Sequence, residues 1–130
     1  MNIHLDDDLY EELGATFQVV LIDIINRALK DDVPNSETRK EICGQVMFEL
    51  GNVLDQCGIT ENDRTFYPVV GFSSVFLNGE AELPAEGDLY LQGSSFSHHE
   101  YAGGDVYYYF DEHDESVPDV AVTPVGGDDA

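Results

Sequence analysis

The spacing of apolar residues changes near residue 65, and this change limits the folds open to the chain. Before it, apolar residues recur at the three- and four-residue intervals of amphipathic helices. After it, they alternate in short runs that turn residues separate. Helices followed by strands predict an α+β domain, with an N-terminal helical hairpin packed on a four-stranded, mostly antiparallel sheet.

The first helix is predicted over residues 8–30. Three acids, Asp6, Asp7 and Asp8, stand where an N-cap and a first turn favour negative charge, and Lys30 stands at the opposite end. The sequence Asp31-Asp32-Val33-Pro34 ends the helix. Its predicted apolar stripe comprises Leu13, Phe17, Val20, Leu21, Ile24 and Ala28.

The second helix is predicted from Asn35 or Ser36 to Cys57, with Gly58 as the residue that follows its end. Gly44 and Gly51, seven residues apart, lie near one face and predict close approach of another backbone. The first helix is the simplest neighbour there, and a dimer contact is the alternative. The predicted apolar stripe comprises Ile42, Val46, Leu50, Val53, Leu54 and Cys57.

Four strands are predicted after residue 65, over 65–77, 80–83, 87–97 and 105–113. Asn78-Gly79 predicts a tight hairpin turn, Pro84 shortens the second strand, and Gly103-Gly104 predicts the last turn. Residues 1–115 are therefore expected to form one domain. Residues 116–130 are expected to be an acidic tail with proline and glycine, partly ordered at most.

The charge of the chain is strongly negative and unevenly distributed. Residues 1–64 hold fourteen acids and five basic residues (14 − 5 = 9, net −9), and residues 65–130 hold thirteen acids and no lysine or arginine, which together give −22. Such self-repulsion opposes compaction. The charge therefore indicates either a high-salt environment or a strongly basic partner, and the excess is expected to lie mainly on the predicted sheet.

The sequence predicts a cytoplasmic protein. Its longest apolar run, residues 19–22, is far shorter than a membrane span, and its N-terminus lacks the basic region of a secretory signal. Cys43 and Cys57 would lie about 21 Å apart along one helix, too far for a disulfide. Two reduced thiols favour a reducing compartment.

Catalysis and metal binding have weak support in the sequence. His98 and His99 precede a region with Asp105, Asp111 and His113, but their spacing matches no zinc or iron motif, and paired acids are frequent throughout. The five serines of residues 73–97 lack a nucleophile-elbow pattern. We therefore expect that the chain is not an enzyme and that it holds no metal or cofactor.

A protein partner is expected instead. Neutralising phosphates requires lysine and arginine, so direct binding of nucleic acid or of an anionic membrane is not expected. Tyrosines ringed by carboxylates favour an interface with a basic nucleic-acid-binding protein, whose arginines would pair with the acids and stack on the rings. A monomer or a homodimer is expected. The predicted partner-binding residues are Glu80, Glu82, Asp88, Asp105, Tyr107, Tyr109, Asp111, Glu112, Asp114 and Glu115.

In size, acidity and lack of catalytic residues, the chain resembles the phage-encoded inhibitors of restriction and CRISPR systems that imitate DNA. This resemblance implies that the chain acts in a host cytoplasm by occupying the basic DNA-binding surface of a defence protein. Two alternatives stay open. One is a halophilic housekeeping domain, and the other is an immunity or antitoxin-type protein that neutralises a basic nuclease.

Overall fold

The computed structural model describes residues 1–93, 96–112 and 122–125, which form an α+β arrangement of helices and two small sheets. Its elements are β1 (Asn2–Leu5), α1 (Asp8–Leu29), α2 (Ser36–Gln56), β2 (Ile59–Glu61), β3 (Arg64–Phe66), β4 (Gly71–Ser73), β5 (Asp88–Leu91) and α3 (His98–Tyr107). A π-helical turn, Tyr108–Glu112, extends α3. None of the described helices has the length and apolar content needed to cross a membrane.

The first two helices begin and end close to the predicted positions because their caps are encoded locally. The Asp7 carboxylate accepts a hydrogen bond from the Leu9 amide at 2.8 Å, and the Asn35 side chain accepts one from the Thr38 amide at 3.0 Å. Gly58 has a different role from the one predicted. Its φ is not left-handed, and a Cβ there would lie 2.5 Å from the Thr65 side chain, so a larger residue at this position would have to displace that side chain.

The predicted four-stranded sheet is wrong, because a three-stranded sheet and a two-stranded hairpin stand in its place. In the larger sheet, β5 lies in the centre, parallel to β1 and antiparallel to β4. In the smaller one, β2 pairs with β3. The Asn78-Gly79 turn does form, with φ of 49° and 67° and a hydrogen bond from the Glu80 amide to the Leu77 carbonyl, but no strands flank it.

The predicted strand over 105–113 is also wrong where the structure describes it, because residues 98–112 are helical. His98, Ala102, Val106 and Tyr109 recur at helical spacing and are buried. Three of them join Ile22 of α1 and Met47 of α2 in the core. Burial of this stripe outweighs the strand preference of consecutive tyrosines and the roughly 1 kcal/mol that each of two adjacent glycines costs a helix.

The N-terminal helical hairpin differs from its prediction in position and in packing. β1 precedes it, and α2 packs most extensively against α3 rather than against α1. A buried polar network ties the helices together, since the Tyr109 hydroxyl donates to Asp23 at 2.6 Å and Arg39 donates to Asn26 at 2.8 Å. Arg39 is only 6% exposed, so one of the five basic residues contributes little to the surface.

Candidate functional site

The predicted contact residues Glu80 and Glu82 lie on an exposed loop between β4 and β5. Two hydrogen bonds close the base of this loop at 2.8 Å each, from the Ser74 amide to the Asp88 carbonyl and from the Asp88 amide to the Ser74 hydroxyl. We name residues 75–87 the acidic loop. It holds three exposed carboxylates, the third being Glu86.

Apolar side chains accompany the carboxylates of the acidic loop. Phe76 is 64% exposed and Leu83 is 58% exposed, and both line a shallow depression of about 600 Å³ with Glu80 and Glu82. Neither side chain is among the predicted contact residues, because both were predicted to lie on paired strands. Pro84, which follows the predicted strand over residues 80–83, was the signal in the sequence that this segment does not pair as a strand. Charge and exposed apolar area therefore occur together on one loop.

The carboxylate of Asp88, another predicted contact residue, contacts a side chain of the same protein. Its carboxylate lies 2.8 Å from Nε2 of His4, and the His4 ring stacks on Tyr90 with 4.7 Å between the ring centroids. Since the Asp88 side chain is 38% exposed, this contact is of the weak, solvent-screened kind. Asp88 chiefly joins β1 to β5.

Tyr107, Asp111 and Glu112 form a second exposed group, where α3 ends beside the start of α2. Tyr107 is 53% exposed, and Asp111 and Glu112 are exposed as well. Lys40 of α2 neutralises part of this group, because its ammonium lies 2.6 Å from the Asp111 carboxylate and 5.6 Å from the centre of the Tyr107 ring. The group therefore offers less negative charge than its sequence suggests.

The remaining predicted contact residues differ in placement. Tyr109 is buried at 1% exposure and belongs to the core, so its prediction as a contact residue is wrong. Asp105 lies on α3 with one carboxylate oxygen, Oδ2, buried and without a hydrogen-bond partner. Asp114 and Glu115 lie outside the described residues, as does the tail except for residues 122–125.

The Asp105→Asn variant is expected to be more stable than the wild type at pH 7.5. Burial raises the pKa of Asp105 to about 6, so the ionised carboxylate opposes folding at neutral pH. Because the folded pKa exceeds the unfolded one, this penalty is absent below about pH 4, grows between pH 4 and 6, and is constant above. Discounted for partial exposure, the gain is about 1–1.5 kcal/mol.

Urea unfolding of both proteins at pH 7.5 and 4.5 measures this gain. It should be less than half as large at pH 4.5, and comparing the two proteins at each pH cancels the titration of all other groups. An equal gain at both pH values would show that the effect does not come from the Asp105 charge.

The two adjacent histidines, His98 and His99, make contacts within the chain. His98 is buried, with Nε2 at 3.2 Å from the Tyr10 hydroxyl, which itself donates to the Val70 carbonyl. Burial lowers the pKa of His98 and raises that of Tyr10 to about 12, so both are neutral at pH 7. Among the described residues, no group of three or more His, Cys, Asp or Glu side chains is placed to hold a metal ion.

A Ser97–His99–Asp55 cluster lies where α3 meets the end of α2. Nδ1 of His99 lies 2.6 Å from the Asp55 carboxylate and 3.0 Å from the Ser97 hydroxyl, so serine and aspartate share one ring nitrogen. A catalytic triad needs them on opposite nitrogens. The cluster instead caps α3, because Asp55 also accepts the amides of His98 and His99 at 3.1 and 2.8 Å. Asp55 is therefore no part of the surface charge.

Most of the other acids lie on the surface. Sixteen of the twenty-two carboxylate residues in the described part of the chain are exposed, against three basic residues, Arg27, Lys30 and Arg64. The exposed acids are Asp6, Asp8, Glu12, Asp31, Asp32, Glu37, Glu41, Glu49, Glu61, Asp63, Glu80, Glu82, Glu86, Glu100, Asp111 and Glu112. They occur on all three helices and on the loops, so the expected concentration of charge on the sheet is not found within these residues.

No protein-family model matches the chain, and neither a curated protein nor a solved structure matches it.

Proposed function

We propose that this chain is a non-enzymatic inhibitor that occupies the basic nucleic-acid-binding surface of a host defence protein, in the place of DNA. The observation that carries the proposal is the excess of exposed carboxylates over exposed basic residues. Of those basic residues, Arg27 pairs with Asp23 at 2.8 Å and Arg64 lies over the Phe66 ring. The surface therefore attracts arginine and lysine, as a phosphate backbone does.

The acidic loop is the proposed centre of contact. Glu80, Glu82 and Glu86 would pair with arginines of the partner, while Phe76 would accept a guanidinium on its ring face. A charged rim beside exposed aromatic area is the composition of an interface with a basic protein. Steering by the whole surface would make association fast and sensitive to salt.

Adaptation to high salt is the second candidate, because exposed acids occur on every helix and not on a single face. A shell of acids keeps a protein hydrated where screening is strong. The two functions require different salt concentrations. An inhibitor of a DNA-binding protein must fold and bind near 0.1 M salt, whereas an obligate halophile would fold only near molar salt.

The Glu80→Gln/Glu82→Gln double variant is expected to bind the partner roughly tenfold more weakly than the wild type at 0.1 M NaCl, through loss of two rim charges. The partner is captured on immobilised wild-type protein from a bacterial extract, eluted with rising salt and purified. Its affinity for each variant is then measured by fluorescence anisotropy. Competition with a labelled DNA duplex tests whether protein and DNA exclude each other.

The matched control is Asp31→Asn/Asp32→Asn, which removes two exposed charges from the loop between α1 and α2. We expect it to weaken binding by less than about twofold, since long-range steering is nearly unchanged. Simultaneous binding of DNA and this protein to the partner contradicts the proposal. A chain whose circular dichroism shows no fold at 0.1 M salt, and a fold near 2 M, supports salt adaptation instead.

A further inference from the structure

The acidic loop contains the only Asn-Gly pair of the sequence, Asn78-Gly79, and both residues are exposed. Their φ angles of 49° and 67° and the hydrogen bond of 3.0 Å from the Glu80 amide to the Leu77 carbonyl are those of a type I′ turn. The turn therefore presents to solvent a side-chain amide that is followed directly by a residue without a side chain.

An asparagine followed by glycine can lose ammonia from its side chain without an enzyme. The amide nitrogen of Gly79 attacks Cγ of Asn78 and gives up its proton, the bond between Cγ and Nδ2 breaks, and ammonia leaves with that proton. Water then opens the five-membered imide at one of its two carbonyls, which leaves aspartate or isoaspartate at position 78. A side chain on the attacking residue would crowd this step, and glycine has none.

The described part of the chain leaves both reacting groups of this turn free. No described residue makes a hydrogen bond to the Asn78 side chain or accepts one from the Gly79 amide. Apart from its chain neighbours, no described atom lies within 4 Å of the position that a Cβ of Gly79 would occupy. The side-chain amide and the nitrogen that would attack it are therefore not held apart by other contacts.

The turn must open for the imide to form, because the five-membered ring needs a different rotation about the Cα–C bond of Asn78 from that of a type I′ turn. Little opposes this opening. One backbone hydrogen bond closes the turn, and no described strands flank it. Local opening of such an exposed loop lies at the low end of the free-energy scale for native proteins.

The turn between β2 and β3 offers a contrast within the same protein. Asn62 and Asp63 are exposed there and have left-handed φ angles of 51° and 63°. However, three residue pairs of the flanking strands hold this turn closed, and the residue after Asn62 carries a side chain. Of these two asparagines, Asn78 alone combines a following glycine with a turn that no paired strands support.

We propose that Asn78 is a site of spontaneous deamidation in the folded protein, and that the reaction adds a fourth carboxylate to the three exposed ones of the acidic loop. Aspartate at this position keeps the main chain as it is and changes only the charge. Isoaspartate also inserts a methylene group into the main chain, which breaks the turn from Leu77 to Glu80. The deamidation is measured without any partner, so it stands or fails independently of the proposed function.

Mass spectrometry of the full chain, sampled over several weeks at pH 7.5 and 37 °C, tests the proposal. Each sample is digested with pepsin at low pH, since the chain offers trypsin no lysine or arginine after Arg64. Deamidation raises the mass of the peptide that contains it by about 1 Da. We expect Asn78 to convert at least about tenfold faster than Asn62, and within about tenfold of its own rate in concentrated guanidinium chloride, where the turn is absent.

Gly79→Ala is the matched variant, with circular dichroism as the check on its fold. Alanine is strained at a φ of 67°, so it favours opening of the turn, but its methyl group crowds the attacking nitrogen. The conversion of Asn78 should therefore slow at least about tenfold in this variant. The proposal is overturned if Asn78 converts in guanidinium chloride but keeps its mass in the folded protein, if Asn62 converts as fast, or if Gly79→Ala leaves the rate unchanged.

Discussion

The Asp55→Ala variant is expected to lose about 3–4 kcal/mol of unfolding free energy, through loss of charge-assisted hydrogen bonds and of a helix cap. For a small domain, whose total stability is roughly 5–15 kcal/mol, this is a large share. Urea unfolding at pH 7.5 and 25 °C, followed by circular dichroism, measures the loss.

The expected loss is large because one carboxylate satisfies five donors. Asp55 is 6% exposed. Its oxygens accept the amides of His98 and His99, and side-chain bonds from Gln92 at 2.9 Å, Ser97 at 3.0 Å and His99 at 2.6 Å. Alanine leaves the first amides of α3 without their acceptor, in a site that water cannot easily enter.

Glu49→Ala is the matched control. Glu49 lies on the same helix and is exposed, so its removal deletes one negative charge without breaking a buried contact. We expect a change within about 0.5 kcal/mol, as for surface substitutions in general. If Asp55→Ala were no less stable than Glu49→Ala, the docking of α3 on α2 through this carboxylate would be contradicted.

The loss in Asp55→Ala should depend on pH in a defined way. Burial favours a raised pKa of Asp55, but hydrogen bonds from His99, Gln92 and His98 outweigh it and hold the pKa well below its ordinary value. The stability that Asp55 supplies is therefore fully present above the unfolded pKa of about 4 and is lost as pH falls through the lower folded pKa. The part of the difference that comes from the Asp55 carboxylate itself should therefore shrink only below about pH 4.

The helices that could be predicted from the sequence are those whose ends are determined locally. Asp7 and Asn35 cap α1 and α2 through amides two and three residues away, so the caps are present in the sequence itself. The first residues of α3 depend instead on Asp55, which is 43 residues away from His98. Ser97 caps α3 locally as well, because its hydroxyl accepts a hydrogen bond from the Glu100 amide at 3.4 Å. The strand preference of the consecutive tyrosines outweighed this signal in the prediction, and α3 was predicted as a strand.

The sheet was mispredicted because its central pairing joins distant segments. β5 pairs with β1, and Ile3 aligns with Leu89 across more than eighty residues. The Asn78-Gly79 signal was correct about the turn, yet the returning segment stays unpaired and β4 pairs with β5 instead. Turn chemistry fixes the local chain direction, while the pairing of strands is settled by tertiary contacts.

The exposed residues of the candidate site were predicted correctly where their exposure follows from their charge. The prediction failed for a residue whose exposure depends on how its helix packs. Glu80 and Glu82 are exposed, as runs of acids near a turn indicate. Tyr109 is buried because it follows Val106 on the core side of a helix, whereas a strand would have placed it on the same face as Tyr107. One error in the type of element thus placed Tyr109 on an exposed face in the prediction.

Gly51→Ala and Gly44→Ala are expected to change stability in opposite directions. Each alanine gains roughly 1 kcal/mol in helix propensity. At Gly44 a Cβ would meet no atom within 4 Å, so the gain is kept. At Gly51 the Cβ would lie 2.6 Å from both the Cα and the amide nitrogen of His99. These are backbone atoms, which can move only if α3 shifts.

Overpacking of this kind costs about 1–3 kcal/mol or more, so Gly51→Ala should be destabilised by a net of about 2 kcal/mol. Urea unfolding of both variants beside the wild type gives the comparison, and amide hydrogen exchange should show the loss concentrated in α3. Equal stabilisation of the two variants would contradict the close approach of α3 to α2. Two glycines seven residues apart did predict a nearby backbone, but at Gly51 that backbone belongs to α3, and at Gly44 it is absent among the described residues.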